Sequence, residues 1–123
     1  MPFGEPLQWD ELTLTALPAG HVFGSAMLHV AGPQGTLLYT GDFKLRPSAT
    51  AEAASPPRID VLVMESTYGE PRYRLPPREE AIAQLVGIAR RTLEAGRTPV
   101  VQAYVLGKAQ EMTRILVDNG LRV

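Results

Sequence analysis

The chain has no cysteine, only two histidines and one tryptophan, and no surplus of either charge. Without cysteine there is no disulfide and no thiolate zinc site, so packing and hydrogen bonds alone must hold the fold; we expect the reducing cytoplasm as its location. Two histidines are too few for a full two-metal site. With 12 basic and 13 acidic residues the net charge is -1, and no global field recruits a polyanion. A nucleic-acid partner would have to be met by a local basic patch or a metal centre. No apolar run approaches the roughly 20 residues of a membrane span. The opening Met1-Pro2-Phe3-Gly4-Glu5-Pro6 lacks the pattern of a signal peptide, so no membrane partner is expected. What remains is 123 residues, 45% hydrophobic and 20% charged, the composition of a soluble chain able to bury a core.

Leu12-Thr13-Leu14-Thr15-Ala16-Leu17 alternates apolar and polar side chains, as a half-buried strand does. Ala26 to Val30 and Thr36 to Thr40 are two more strands, joined by the hairpin turn Gly32-Pro33-Gln34-Gly35. Lys44 to Arg58 is a long surface connection rich in Pro, Ala and Ser. Ile59 to Met64 reads as a short buried strand. A second connection carries Arg72, Arg74 and Arg78. Ile82, Leu85, Val86, Ala89 and Leu93 then recur at helical spacing over about Arg78 to Ala95 and should face a sheet that includes Val100 and Val101. Thr98 to Ala103 reads as a strand, Lys108 to Asp118 as a helix capped by Asn119-Gly120, and Leu121 to Val123 as the start of a strand. This order predicts an α/β, mixed α+β, fold with an antiparallel first half.

Three short motifs place a metal-capable or acidic side chain just after a strand-like run: Gly20-His21-Val22-Phe23-Gly24-Ser25, Tyr39-Thr40-Gly41-Asp42-Phe43 and Met64-Glu65-Ser66-Thr67-Tyr68-Gly69. Centring the hairpin on Pro33-Gln34 sets Ser25 opposite Asp42, with His21 in the loop just before. Glu65 joins the same rim if its strand runs parallel to the one ending at Asp42, and sites in α/β sheets favour that rim. Neutral imidazole and carboxylate oxygen bind zinc at about 2.0–2.2 Å, and manganese takes the same donors. A carboxylate can bridge two ions about 3.5–4 Å apart, the arrangement that activates water for phosphodiester cleavage. Each residue also has a plain alternative. His21 alone is a hydrogen-bonded loop histidine, Asp42 a turn former, and Glu65 an acceptor at a strand end. His29 is a half-exposed strand residue. Arg72, Arg74 and Arg78 form a solvated loop that could also meet phosphates, and Gly107-Lys108 opens a helix whose free N–H groups could hold an anion.

In this order and spacing the three motifs resemble those of the metallo-β-lactamase superfamily and, within it, the β-CASP nucleases. The resemblance implies that His21 is a metal ligand, that Asp42 is a bridging ligand and part of the catalytic centre, and that Glu65 is the acidic residue opening the β-CASP region. There it would orient a neighbouring histidine or assist proton transfer. Tyr104 to Glu111 is similar to the strand-to-helix step of the β-CASP cassette, and Glu70 to Pro77, with its Arg-Tyr-Arg, is similar to bacterial exonucleases associated with DNA ligase. The family's His-x-His-x-Asp-His motif and its later histidines do not occur in the 123 residues.

The resemblance therefore implies the middle of a longer enzyme. Residues 1–67 would be the C-terminal half of a metallo-β-lactamase-like sheet and 68–123 the start of a β-CASP-like segment. The expected activity is that of a metal-dependent nuclease, an exonuclease on RNA or DNA, with two Zn2+ ions or Mn2+ in the intact enzyme. Alone, the chain should be inactive or weak and prone to associate with itself or with missing segments. The alternatives are a non-catalytic scaffold binding nucleic acid or protein, and a related hydrolase of small esters or thioesters.

Overall fold

The computed structural model describes all 123 residues and divides into two compact units, Met1–Ser66 and Thr67–Val123. The first is a five-stranded sheet in the order β1 (Pro6–Trp9), β2 (Leu12–Pro18), β3 (Ala26–Gly32), β4 (Gly35–Tyr39) and β5 (Val61–Val63). Its first four strands are antiparallel neighbours, and β5 joins β4 in parallel. Alternation along β3 and β4 turns Met27 and Leu38 inward; with Ala19 they form the buried core, and Leu17, Phe43, Ala54 and Ile59 pack around it. Gly32 pairs with Gly35 across the hairpin turn.

Asp60 locks β5 beside β4. Its carboxylate accepts hydrogen bonds from the backbone N–H and the hydroxyl of Thr36, both at 2.8 Å, and its own N–H donates to Thr36. The Thr36 hydroxyl and then its backbone N–H hold the Asp60 carboxyl below the ordinary aspartate range. Glu52 is lowered likewise, first by the Gly24 N–H it accepts at 3.0 Å. A lowered carboxylate stabilises the fold above its ordinary value and loses that contribution as pH falls through its folded value. Thermal melts taken downward from neutral pH should therefore show the gap between wild type and Asp60→Asn widest near neutrality and closing in acid. A gap that grew on acidification would refute the Asp60 lock.

The second unit contains α1 (Arg78–Glu94) and α2 (Lys108–Asp118). Pro77 precedes α1, where its fixed φ and missing N–H cost nothing, and Glu79, Glu80 and Arg91 suit the helix dipole. Gly120, at φ +78°, ends α2: its N–H reaches the Val117 carbonyl and that of Leu121 reaches Leu116, a Schellman closure. Val86 and Ala89 of α1 and Glu111, Ile115 and Leu116 of α2 are buried. Arg78 bonds Glu111 near the start of both helices, and Arg90 donates to the Asn119 carbonyl near their ends. No helix is long and apolar enough to cross a membrane.

The structure corrects several expectations. The four residues of β1, given no strand by sequence, pair with β2. The strand expected buried over Ile59 to Met64 is limited to Val61–Val63 and is about half exposed, because it lies at the sheet edge. Thr98 to Ala103 and Leu121 to Val123 form no strand, since a strand needs a ladder partner and neither has one. Val100 is accordingly 84% exposed. Without that sheet, only Val86 and Ala89 of the expected α1 face are buried; Ile82 and Leu85 are half-buried and Leu93 is exposed.

Candidate functional site on the sheet rim

The loop from β2 to β3 and the turn after β4 leave the same edge of the sheet, and backbone bonds lace them together. Ala19, fully buried, donates to the Ser25 carbonyl and accepts from the Lys44 N–H, each at 2.8 Å. Gly20 follows at φ +74°, packed so closely that an added Cβ would collide with the Lys44 carbonyl oxygen. Ser25 closes the loop from the other side. Its hydroxyl accepts the N–H groups of His21 and Val22, both at 3.1 Å, and donates to the Val22 carbonyl at 2.7 Å. Glu52 ties down Gly24.

The outcome is that His21 Nε2 stands 4.0 Å from Asp42 Oδ2, with side chains 49% and 72% exposed. The β3–β4 register, in which Leu28 faces Tyr39, extrapolates to Ser25 opposite Asp42, which brings residues 21 positions apart in sequence to one edge. Glu65 reaches that rim by a different route. The parallel register of Tyr39 with Val63 sets it level with Gly41, and its N–H donates to the Thr40 hydroxyl at 3.4 Å. Thr40, 2% exposed, thus sits between the Asp42 turn and the Glu65 strand end, and its hydroxyl donates in turn to the Gly41 carbonyl.

The pair is exposed, hence open to a ligand from solvent, and its imidazole nitrogen and carboxylate oxygen are both donors for a borderline divalent ion. The donor set is incomplete: no group of three or more His, Cys, Asp or Glu is placed to hold a metal. His21 and Asp42 are therefore brought together, while Glu65 shares their rim without completing a three-donor cluster. His29 is half-buried on β3. Ser25 and Thr40 lie inside the motifs, but only the fold shows their hydroxyls as positioning groups. Glu52 carried no signal at all, being 28 residues from its partner in an alanine-rich stretch.

No family model matches the chain. It is 40% identical over 128 aligned positions to a probable DNA ligase of Opitutus terrae, a match covering 100% of the chain and 12% of that protein. It is 35% identical over 124 positions to transcription termination factor FttA of a Lokiarchaeum species, with 92% of the chain and 20% of the relative covered. With RNase aCSPSF2 of Saccharolobus solfataricus it shares 31% over 120 positions, or 95% of the chain and 24% of that protein. The chain thus spans between about an eighth and a quarter of the length of these curated relatives.

Proposed function

We propose that residues 1–123 are part of a metal-dependent phosphodiesterase of the β-CASP group within the metallo-β-lactamase superfamily, acting in the cytoplasm on RNA or DNA. The observation that carries this reading is the His21–Asp42 pair, 4.0 Å apart on a rim that Glu65 shares. Similarity to proteins named as an RNase, a transcription termination factor and a probable DNA ligase supports a nucleic-acid substrate. The likeness of Glu70 to Pro77 to ligase-associated exonucleases favours attack from a strand end.

His21 and Asp42 would hold Zn2+ or Mn2+ together with donors from outside these residues. A bound ion supplies hydroxide at neutral pH and charge neutralisation at the phosphate. Asp42, with two carboxylate oxygens, is the residue suited to bridge two ions. Glu65, next to the Asp42 turn through Thr40, would orient a histidine or take up a proton. The assignment of residues 1–67 to a metallo-β-lactamase-like half and 68–123 to the start of a β-CASP-like region belongs to the same proposal. An apolar cleft of about 300 Å³, lined by Met27, Leu38, Phe43, Ile59, Leu62 and Met64, fits a sheet face covered by other segments or by self-association. A non-catalytic scaffold is the second reading, favoured by the want of a third metal donor.

The test is hydrolysis of labelled single-stranded RNA and DNA, with zinc or manganese, by this chain and by a longer protein carrying the His-x-His-x-Asp-His motif. The short chain should be inert and the longer one active. Chelator-resistant cleavage by the short chain would refute the partial-site reading. An inert longer protein would favour the scaffold.

A further inference from the structure

Within the second unit lies a cluster that the rim chemistry does not use. Tyr68 and Tyr73 meet edge to face, ring centroids 5.3 Å apart at 88°, and the Arg72 guanidinium lies 5.1 Å from the Tyr73 ring centre. Arg72 is fixed by a fork onto Glu70, with Nε 2.9 Å from one carboxylate oxygen and Nη2 3.2 Å from the other, and it also reaches the Tyr73 hydroxyl at 3.3 Å. Backbone turns, Tyr73 N–H to the Glu70 carbonyl and Arg74 N–H to that of Arg72, hold the segment, and Pro71, Pro76 and Pro77 stiffen it. Despite this ordering, Tyr68 stays 65% exposed and Tyr73 40%.

We propose that Tyr68 and Tyr73, braced by Arg72, form a stacking platform for the unpaired bases of single-stranded nucleic acid, with Arg74 meeting a phosphate. An exposed aromatic ring already held in one orientation loses little freedom when a flat ligand stacks on it. Every base offers a π-face, and in a duplex those faces are occupied, so such a ring selects unpaired strands. The charges divide by role. Glu70 neutralises Arg72, leaving it a brace, and Arg78 is committed to Glu111. Arg74, next to Tyr73 in the chain, bonds only through its backbone, so its guanidinium is a cation that no carboxylate neutralises. Two rings and one free guanidinium thus lie within seven residues of sequence, one kind of group for bases and the other for phosphate. This deepens the nucleic-acid reading above and rests on it.

The test measures fluorescence anisotropy of short labelled RNA and DNA single strands, and of a duplex, with the 123-residue chain. Tyr68→Ala and Tyr73→Ala should each weaken single-strand binding by about ten-fold, while Tyr68→Phe, which keeps the ring, should not. Arg74→Ala leaves the aromatic pair intact and should lower the slope of log affinity against log salt by about one. Circular dichroism checks that each variant is folded. Folded tyrosine variants that bind as wild type does, or a duplex that binds as well as a single strand, overturn the platform but leave the cleavage proposal standing. A wild-type chain that binds no single strand also overturns it, and the cleavage proposal is then judged by hydrolysis in the longer protein alone.

Discussion

On the proposed metal-dependent reading, His21→Ala and Asp42→Ala, placed in a protein that joins these residues to a His-x-His-x-Asp-His motif, should each reduce phosphodiester hydrolysis by about a thousand-fold or more. The size follows from what a metal ion contributes, several kcal/mol of charge stabilisation at the transition state, each 1.4 kcal/mol being about ten-fold in rate. The same substitutions should barely move the melting temperature. Both side chains are largely exposed, and their mutual contact, 4.0 Å in high dielectric, is worth about 1 kcal/mol or less. The loop's shape rests instead on Ser25, Glu52 and the backbone bonds of Ala19, none of which the substitutions touch. Asp42→Asn adds a sharper test, since an amide keeps one oxygen donor but loses the charge of the carboxylate. It should bind less metal per chain and remain inactive. Full activity in folded His21→Ala or Asp42→Ala would remove the rim pair from the chemistry.

That pair was legible in the sequence because a hairpin is a ruler. Once Gly32 and Gly35 fix the turn, every later pairing follows by counting, and the count reaches Ser25 and Asp42. β2 was legible because apolar and polar residues alternate along it, and β3 and β4 because the Gly32-Pro33-Gln34-Gly35 turn separates two short apolar runs. β1 buries nothing: its four residues are all exposed, and without a buried face there is no pattern to read. Its return to β2 passes through Asp10 at φ +54°, a conformation aspartate tolerates but does not advertise. The apolar runs misled in the opposite direction. Ile59 to Met64 and Thr98 to Ala103 have the composition of buried strands, yet composition records only what a segment is able to bury. Whether a neighbour is there to cover it depends on the rest of the fold. Glu52 escaped for a third reason. A carboxylate that accepts a single loop N–H from 28 residues away has no local spacing rule to betray it.

Arg78→Ala should destabilise the helical unit by about 3 kcal/mol, at the lower end of what breaking a buried ion pair costs. Glu111 is 5% exposed, and Arg78 Nη2 lies 2.9 Å from its Oε1 while Lys108 Nζ lies 3.5 Å from Oε2. Removing the guanidinium takes the nearer of these two cations from a desolvated carboxylate, and Lys108, whose own side chain is 53% exposed, compensates only partly. The loss cannot be charged to the helix itself. Alanine is the better helix former, and a cation in the first turn of α1 opposes the helix dipole, so both local effects favour the variant. Glu111→Ala should be milder, about 1–2 kcal/mol, because the Arg78 side chain is 29% exposed and its freed guanidinium can be hydrated. The double variant Arg78→Met with Glu111→Leu should recover most of the loss, since apolar groups of similar volume often replace a buried pair without net cost. Urea unfolding followed by helical circular dichroism measures the stability of each variant. An Arg78→Ala curve superimposed on wild type would show that Glu111 is solvated or held by other partners, and that the helices do not depend on this pair.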